Sequence, residues 1–387
     1  MSPLQINPNR LHLPLLPTLD FQDAGDGINA LGNSSFVLAE PLLTPPPDPK
    51  MQDAASAPNR LAGLGNLLQT SDHIPGQSNI SPGKIFTGSQ GSYEIVKEIG
   101  SGGFGDVFLA NVKDPRIAMP DQLAVKVFNY QGANMVTALE RFKRELKILQ
   151  SIEHKNIVKV FDNGVTEDGK PFIGMEYING KSLQKKLDEG ARIPIDQIVK
   201  IAMDVCDALD YLHTKTYTQI VHRDVKPANI MVTQDKKTFL MDVGIAKCEE
   251  ESTLTRSGDV QPGTAFFMAP EQLQPNSKVD SRSDLFSLGA TLYVLSTGQL
   301  PFKSSDNNFF VLSHIINTHP PTEPRELNSE IPLQFSTLII DLLEKNPTKR
   351  GEKFKNEGAL GVRKQLAIIH SFTRPRSGPR PRSSEAA

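Results

Sequence analysis

Val221-His222-Arg223-Asp224-Val225-Lys226-Pro227-Ala228-Asn229-Ile230-Met231 puts a carboxylate, an ammonium and a side-chain amide within six positions, Asp224 to Asn229. Pro227 stiffens the turn between them, and the apolar pair Ile230 and Met231 follows. Such a loop offers a carboxylate to a hydroxyl, a cation to a phosphate and a carbonyl oxygen to a metal ion. Those are the needs of phosphoryl transfer from a nucleotide, in which positioning and charge stabilisation supply most of the rate. The rest of the chain is read by asking whether it completes this site.

The bulk numbers set limits. A chain of 387 residues holds two or three domains, or one large domain with tails. A hydrophobic content of 38% supports a core over part of that length only. The net charge of -2 gives no argument for nucleic acid, and none is expected as a partner. Two distant cysteines, Cys206 and Cys248, make neither a disulfide framework nor a metal site and fit a reducing compartment. No apolar run approaches the ~20 residues of a membrane span. Pro14 and Pro17 interrupt the short apolar piece Leu11 to Leu16, and no charged segment precedes it, so no signal peptide is expected.

Residues 1–92 are rich in Pro, Ser and Asn and are expected to be disordered. Within them Leu61, Leu64, Leu67 and Leu68 have the spacing of a short amphipathic helix, either a docking segment or a transient helix without a partner. From Tyr93 the texture changes. Strands are expected over Tyr93–Ile99, Asp106–Ala110, Leu123–Phe128, Ile157–Phe161 and Pro171–Tyr177, with a helix over Leu139–Leu149 and a hairpin turn at Asp168-Gly169. After Gly180 the pattern is helical, with helices over Ile195–Leu212, Leu285–Leu295, Phe309–Ile316 and Leu333–Leu343. The fold class is therefore α+β, a small antiparallel sheet with one helix followed by a larger, mainly α part. Residues 371–387, with repeated Pro and Arg, read as a disordered basic tail, a second place where a partner could dock.

Gly100, Gly102 and Gly105 lie between two strands, a context that rules against a dinucleotide fold. A hairpin tip without side chains lies flat over phosphates and donates backbone N–H groups, while Ile99 and Val107 beside it cover a purine. A plain glycine hairpin is the competing reading. Lys126 argues against it, because a lysine in an apolar strand is costly unless paired, and Glu145 on the next helix is its natural partner. Asp242, at a strand end before Val243-Gly244, joins Asn229 as an oxygen ligand for Mg²⁺.

At this point the chain resembles the eukaryotic-type protein kinases, and within them the Ser/Thr kinases of that type found in bacteria. The resemblance rests on Gly100-x-Gly102-x-x-Gly105-x-Val107, Ala124-Val125-Lys126, Glu145, His222-Arg223-Asp224 to Asn229, Asp242-Val243-Gly244, Met268-Ala269-Pro270-Glu271, Asp284 and Arg350, in the family's order. It covers Tyr93 to about Ile369 and implies a bilobal fold, with residues 93–178 as the small lobe and 179–370 as the large one. It further implies ATP and Mg²⁺ (or Mn²⁺) as cofactors and proteins bearing Ser or Thr as substrates. Asp224 would accept the hydroxyl proton, Lys226 would neutralise the transferring phosphoryl group, and Asn229 and Asp242 would hold the metal. Lys126, fixed by Glu145, would hold the α- and β-phosphates under the loop Gly100-Ser101-Gly102-Gly103-Phe104-Gly105. Ala124 and Met231 would sandwich the adenine, Met175 would guard the back of the pocket, and Glu176 to Ile178 would pair with the base. Glu271 with Arg350, and Asp284 with the backbone of the His222 loop, would be structural.

Lys226 and the pair Gly263-Thr264 match the Ser/Thr-directed pattern, and Ser252, Thr253, Thr255 and Ser257 lie in what resembles an activation segment. Three departures stand out: Val243 in place of an aromatic, Phe267 in place of a Tyr, and a longer link over Lys215–Gln219. The smaller Val243 either loosens the coupling of the Leu139–Leu149 helix to Asp242 or is compensated by bulkier neighbours. The expected activity is Ser/Thr protein phosphorylation in the cytoplasm, switched on by autophosphorylation. The rivals are a nucleotide-binding pseudokinase scaffold and a kinase effector acting in a host cytosol. Deletion of residues 1 to about 85 is expected to leave catalysis intact.

Overall fold

The computed structural model describes residues 80–102, 105–128, 146–217, 219–243, 263–274, 277–304 and 308–373. The amphipathic Leu61–Leu68 stretch, the activation-segment hydroxyls and the basic tail beyond residue 373 lie outside them. The small lobe is a six-stranded sheet in the order β1-β2-β3-β4-β6-β5. Its strands are β1 (Ile85–Thr87), β2 (Ser92–Gly102), β3 (Gly105–Lys113), β4 (Gln122–Phe128), β5 (Val160–Val165) and β6 (Pro171–Glu176). All its pairings are antiparallel. Alternation along β4 sorts its side chains between two apolar clusters. Leu123, Val125 and Val127 join Phe86, Tyr93, Phe108 and Phe172 on one face. Ala124 and Phe128 join Leu146, Val160 and Met175 on the other, which also puts Lys126 on that second face. The Asp168-Gly169 turn is present, with Gly169 at φ +83° and its N–H donating to the Thr166 carbonyl at 2.9 Å.

Two sequence expectations need correction here. The folded part does not start at Tyr93, because β1 precedes it and buries Phe86 to 2% exposure. The fourth expected strand, Ile157–Phe161, is displaced to Val160–Val165, and Ile157 makes only an isolated bridge to Leu240. One residue explains both. Asp162, just past the expected strand, is fully buried and its carboxylate is saturated with donors. The N–H and Oγ of Ser89 donate to Oδ1 at 3.1 and 2.5 Å, and the Gln90 N–H donates to Oδ2 at 2.8 Å. The Asn163 N–H and the Tyr93 hydroxyl complete the set. Burial and that carboxylate push the Tyr93 phenol well above its ordinary range. Deletion to about residue 85, expected to leave catalysis intact, removes Ile85 of β1 and keeps Ser89 and Gln90. Removal of 1–91 strips three donors from a buried carboxylate and should cost roughly 3 kcal/mol or more, read as a lower midpoint in thermal unfolding.

The large lobe is built on α2 (Ile195–Thr214) and α3 (Ser281–Thr297). Ile198, Ile201, Ala202, Val205, Ala208, Leu209 and Leu212 form the buried face of α2, as the sequence spacing requires. Asp280 caps α3 by accepting from the Arg282 N–H at 2.9 Å, and Gly298 ends it in the left-handed region at φ 69°. Alpha helices α4 (Phe309–Thr318), α5 (Pro324–Leu327), α6 (Leu333–Leu342), α7 (Pro347–Lys353) and α8 (Gly358–Thr373) complete the lobe. The short α1 (Leu183–Asp188) opens it, capped by Ser182, whose Oγ accepts from the Lys185 N–H at 3.1 Å. The last helix runs to Thr373, three residues past the expected domain end. Gly289 lets α3 and α6 touch, since a Cβ there would sit 2.6 Å from the Leu342 Cβ. A three-stranded sheet of β7 (Gly180–Ser182), β8 (Ile230–Thr233) and β9 (Thr238–Leu240) carries the loops of the site. Among the described residues no helix is long and apolar enough to cross a membrane.

Candidate active site

A cleft of about 680 Å³ opens under the small sheet, within the size range of small-molecule sites. Ile99, Gly100, Ser101, Gly105 and Val107 form its roof. Gly105 is required there by sterics: φ is +138°, and a Cβ would meet the Val127 carbonyl oxygen at 2.0 Å. Gly100 has open space, with the Val107 Cβ the nearest atom at 3.9 Å, so its bare backbone serves close approach rather than packing. Ala124, Met175 and Met231 give the cleft apolar walls, and Glu176 and Ile178 also line it. Lys126, Lys226, Asn229 and Asp242 gather its charged and polar groups.

The loop from His222 to Asn229 is held from below by α3. Asp284, fully buried, accepts from the backbone N–H of His222 at 2.8 Å and of Arg223 at 2.7 Å, and pairs with His213 Nε2 at 2.8 Å. Thr291 Oγ1 donates to the Val225 carbonyl at 3.3 Å. Gln272 Nε2 donates to the Arg223 carbonyl at 3.2 Å. These bonds fix Arg223 in the left-handed region at φ 62°, a conformation a non-glycine residue keeps only when its surroundings hold it. His222 is fully buried, and burial pushes its imidazole below the ordinary value, so it is neutral. Its Nε2 lies 2.9 Å from the Met241 carbonyl and therefore carries the proton, which ties this loop to the one bearing Asp242.

Above this base the reactive groups form one bonded unit. Asn229 Nδ2 donates to both the carbonyl and Oδ2 of Asp224 at 2.9 Å, which leaves Oδ1 as that amide's acceptor. Lys226 Nζ is 3.2 Å from Asp224 Oδ2 and donates to Thr264 Oγ1 at 2.9 Å. The Met241 N–H donates to the Asn229 carbonyl at 2.9 Å, setting the two loops edge to edge. Asp242, at φ 54°, pairs through Oδ1 with Lys126 Nζ at 2.7 Å. A carboxylate and an amide oxygen beside a cleft are the hard donors a magnesium ion accepts, and the donor set fits it.

The expected site residues thus come together, with named exceptions. Gly103, Phe104 and Glu145 lie outside the described residues, and Gly102 closes β2. Among the described residues Lys126 pairs with Asp242, a contact that sequence spacing did not suggest. Glu271 and Arg350 pair as expected, at 2.7 and 3.2 Å. Val243 is 9% exposed and belongs to the large-lobe core, against which Leu149 also packs, whereas Val160 belongs to the cluster under the small sheet. His213 and Gln272 were missed. Both look like ordinary helix or turn residues in sequence, and only their partners give them a role.

Comparison with known proteins agrees with this fold. The profile of the protein kinase domain matches residues 93–354. A probable serine/threonine-protein kinase of Clostridium acetobutylicum is 37% identical over 259 residues, covering 67% of this chain and 37% of the relative. The serine/threonine-protein kinase PknB of Mycobacterium leprae is 33% identical over 286 residues, covering 73% of this chain and 44% of the relative. The chain thus spans less than half the length of these curated relatives. Among solved structures, the PknI kinase domain of Mycobacterium tuberculosis is similar with a TM-score of 0.55 at 25% identity, over 75% of this chain and 99% of that domain.

Proposed function

The chain belongs to the protein kinase domain family, and on that footing we propose that it is a Ser/Thr protein kinase that transfers the γ-phosphate of ATP to Ser and Thr hydroxyls of proteins. The observation that carries this reading is the bonded unit of Asp224, Lys226, Asn229 and Thr264 beside the Lys126–Asp242 pair. Asp224 orients the substrate hydroxyl and takes its proton. Lys226 holds its charge beside that carboxylate, where the phosphoryl group passes. Lys126 holds the α- and β-phosphates, and the roof from Gly100 to Gly105 donates N–H groups to them. Ala124 and Met231 enclose the adenine, Met175 closes the back, and the backbone of Glu176 to Ile178 reads its edge. Asn229 and Asp242 would hold Mg²⁺, which neutralises phosphate charge when bound. The proposal includes a cytoplasmic site of action, where ATP is supplied.

The test is direct. Protein incubated with γ-labelled ATP, Mg²⁺ and generic acidic and basic proteins should place label on phosphoserine or phosphothreonine, and a chelator should abolish transfer. Label on tyrosine alone, or none on any protein, would contradict the reading.

Regulation by autophosphorylation belongs to the same proposal. A phosphate on Thr253 or Thr255 brings a dianion that the Arg223 guanidinium can bind, ordering the segment before Thr264. Mass spectrometry of protein made with and without a phosphatase should find phosphate at Thr255 first, then Thr253 and Ser257. Full activity in a Thr253→Ala/Thr255→Ala double variant would contradict it.

A further inference from the structure

The small sheet is closed on itself by a latch that the chemistry above does not use. Beyond the strand order, the isolated bridge Gly88↔Gly164 joins the end of β1 to β5, the two edges of the sheet. A Cβ at Gly88 would meet Asp162 Oδ2 at 2.2 Å, and one at Gly164 would meet the Phe172 ring at 2.4 Å, so the closure needs both glycines. Ser89 seals it. Its N–H also reaches the Asn163 carbonyl at 3.1 Å, and its carbonyl accepts from Arg116 Nη1 at 3.0 Å. Ser89 is itself exposed, yet its hydroxyl proton points at the fully buried Asp162 carboxylate, 73 positions away, at 2.5 Å.

We propose that Ser89 is a self-modification site, and that a phosphate there unlatches the strap from Asp162. This rests on the protein kinase reading above. While latched, the Ser89 hydroxyl is committed as a donor. When the strap opens, the hydroxyl can enter the cleft of a second copy of the chain. There Ser89 Oγ bonds to the γ-phosphorus of ATP, the bond from that phosphorus to the β–γ bridging oxygen breaks, ADP leaves, and the hydroxyl proton passes to Asp224 of the second copy. The strap cannot then return. Its donor has become a group of about -2 charge with acceptor oxygens only, facing a buried carboxylate. The latch therefore converts a transient opening into a lasting one.

The experiment uses the full chain. After incubation with ATP and Mg²⁺, phosphosites are mapped, and hydrogen exchange is followed at the amides of Ser89 and Gln90, the two backbone donors that the strap gives to Asp162. The expected result is phosphate on Ser89, with loss of protection at both amides in the modified fraction. Ser89→Asp should lose the same protection without ATP and lower Tm by roughly 5 °C. Ser89→Ala, which keeps both backbone donors, should retain it. Phosphorylation of added proteins with Ser89 left unmodified would overturn the proposal while leaving the kinase reading standing, as would phospho-Ser89 with full protection. Transfer to no protein at all would overturn the kinase reading and self-modification together. Retained protection in Ser89→Asp would overturn the latch itself.

Discussion

Asp224→Asn is expected to lose roughly 10²–10⁴-fold in turnover, the usual worth of a positioned acid-base group. The substitution removes the proton acceptor and the charge that faces Lys226 at 3.2 Å, but keeps an amide oxygen in its place. The backbone carbonyl of Asp224 still accepts from Asn229 Nδ2 at 2.9 Å, and Lys226 still reaches Thr264 at 2.9 Å. The loop stays anchored by Asp284 through the N–H groups of His222 and Arg223. Nucleotide affinity and Tm should therefore change little while turnover collapses. A variant that turns over within about tenfold of wild type would mean that Asp224 is not the base, because proton transfer by a positioned group contributes more than that.

Glu271→Leu is expected to give the largest loss of stability, roughly 3–5 kcal/mol, by leaving a buried charge without its partner. Arg350 is fully buried, and its guanidinium binds both Glu271 oxygens, at 2.7 and 3.2 Å. Its remaining donors reach the carbonyls of Arg282 at 2.6 Å, Glu344 at 2.9 Å and Lys345 at 3.3 Å. One side chain therefore joins α7, the start of α3 and the turn Pro270–Gln272. Those carbonyls cannot neutralise a cation once Glu271 is gone. At about 2–4 °C per kcal/mol for a domain of this size, Tm should fall by roughly 10 °C. A Glu271→Leu/Arg350→Met double variant should recover part of that loss, since an apolar pair leaves no buried charge. Equal midpoints for wild type and Glu271→Leu would show that the pair is not what holds these elements.

Much of this architecture was legible before any coordinates, and for physical reasons. The α2 face repeats with helical period, β4 alternates, and the groups of the site lie in short loops where spacing alone brings Asp224, Lys226 and Asn229 together. What escaped sequence reading depends on distant partners. The place of Asp162 is not encoded locally, because its donors Ser89 and Gln90 are more than seventy positions upstream. The strand β1 was hidden for the same reason, in a stretch whose Pro, Gly and Ser content argues for disorder. His213 and Gln272 gained roles only through Asp284 and the Arg223 carbonyl. The Lys126–Asp242 pair joins a strand of one lobe to a loop of the other, and no periodicity encodes that.

The most direct test follows ADP release and phosphoprotein formation together, with ATP, Mg²⁺ and a protein substrate, for wild type and Asp224→Asn. The account predicts one phosphoserine or phosphothreonine for each ADP in wild type, and neither product at a comparable rate in the variant, although both proteins bind ATP. Nucleotide that binds wild type and leaves again as intact ATP, with no phosphate on any protein, would contradict it.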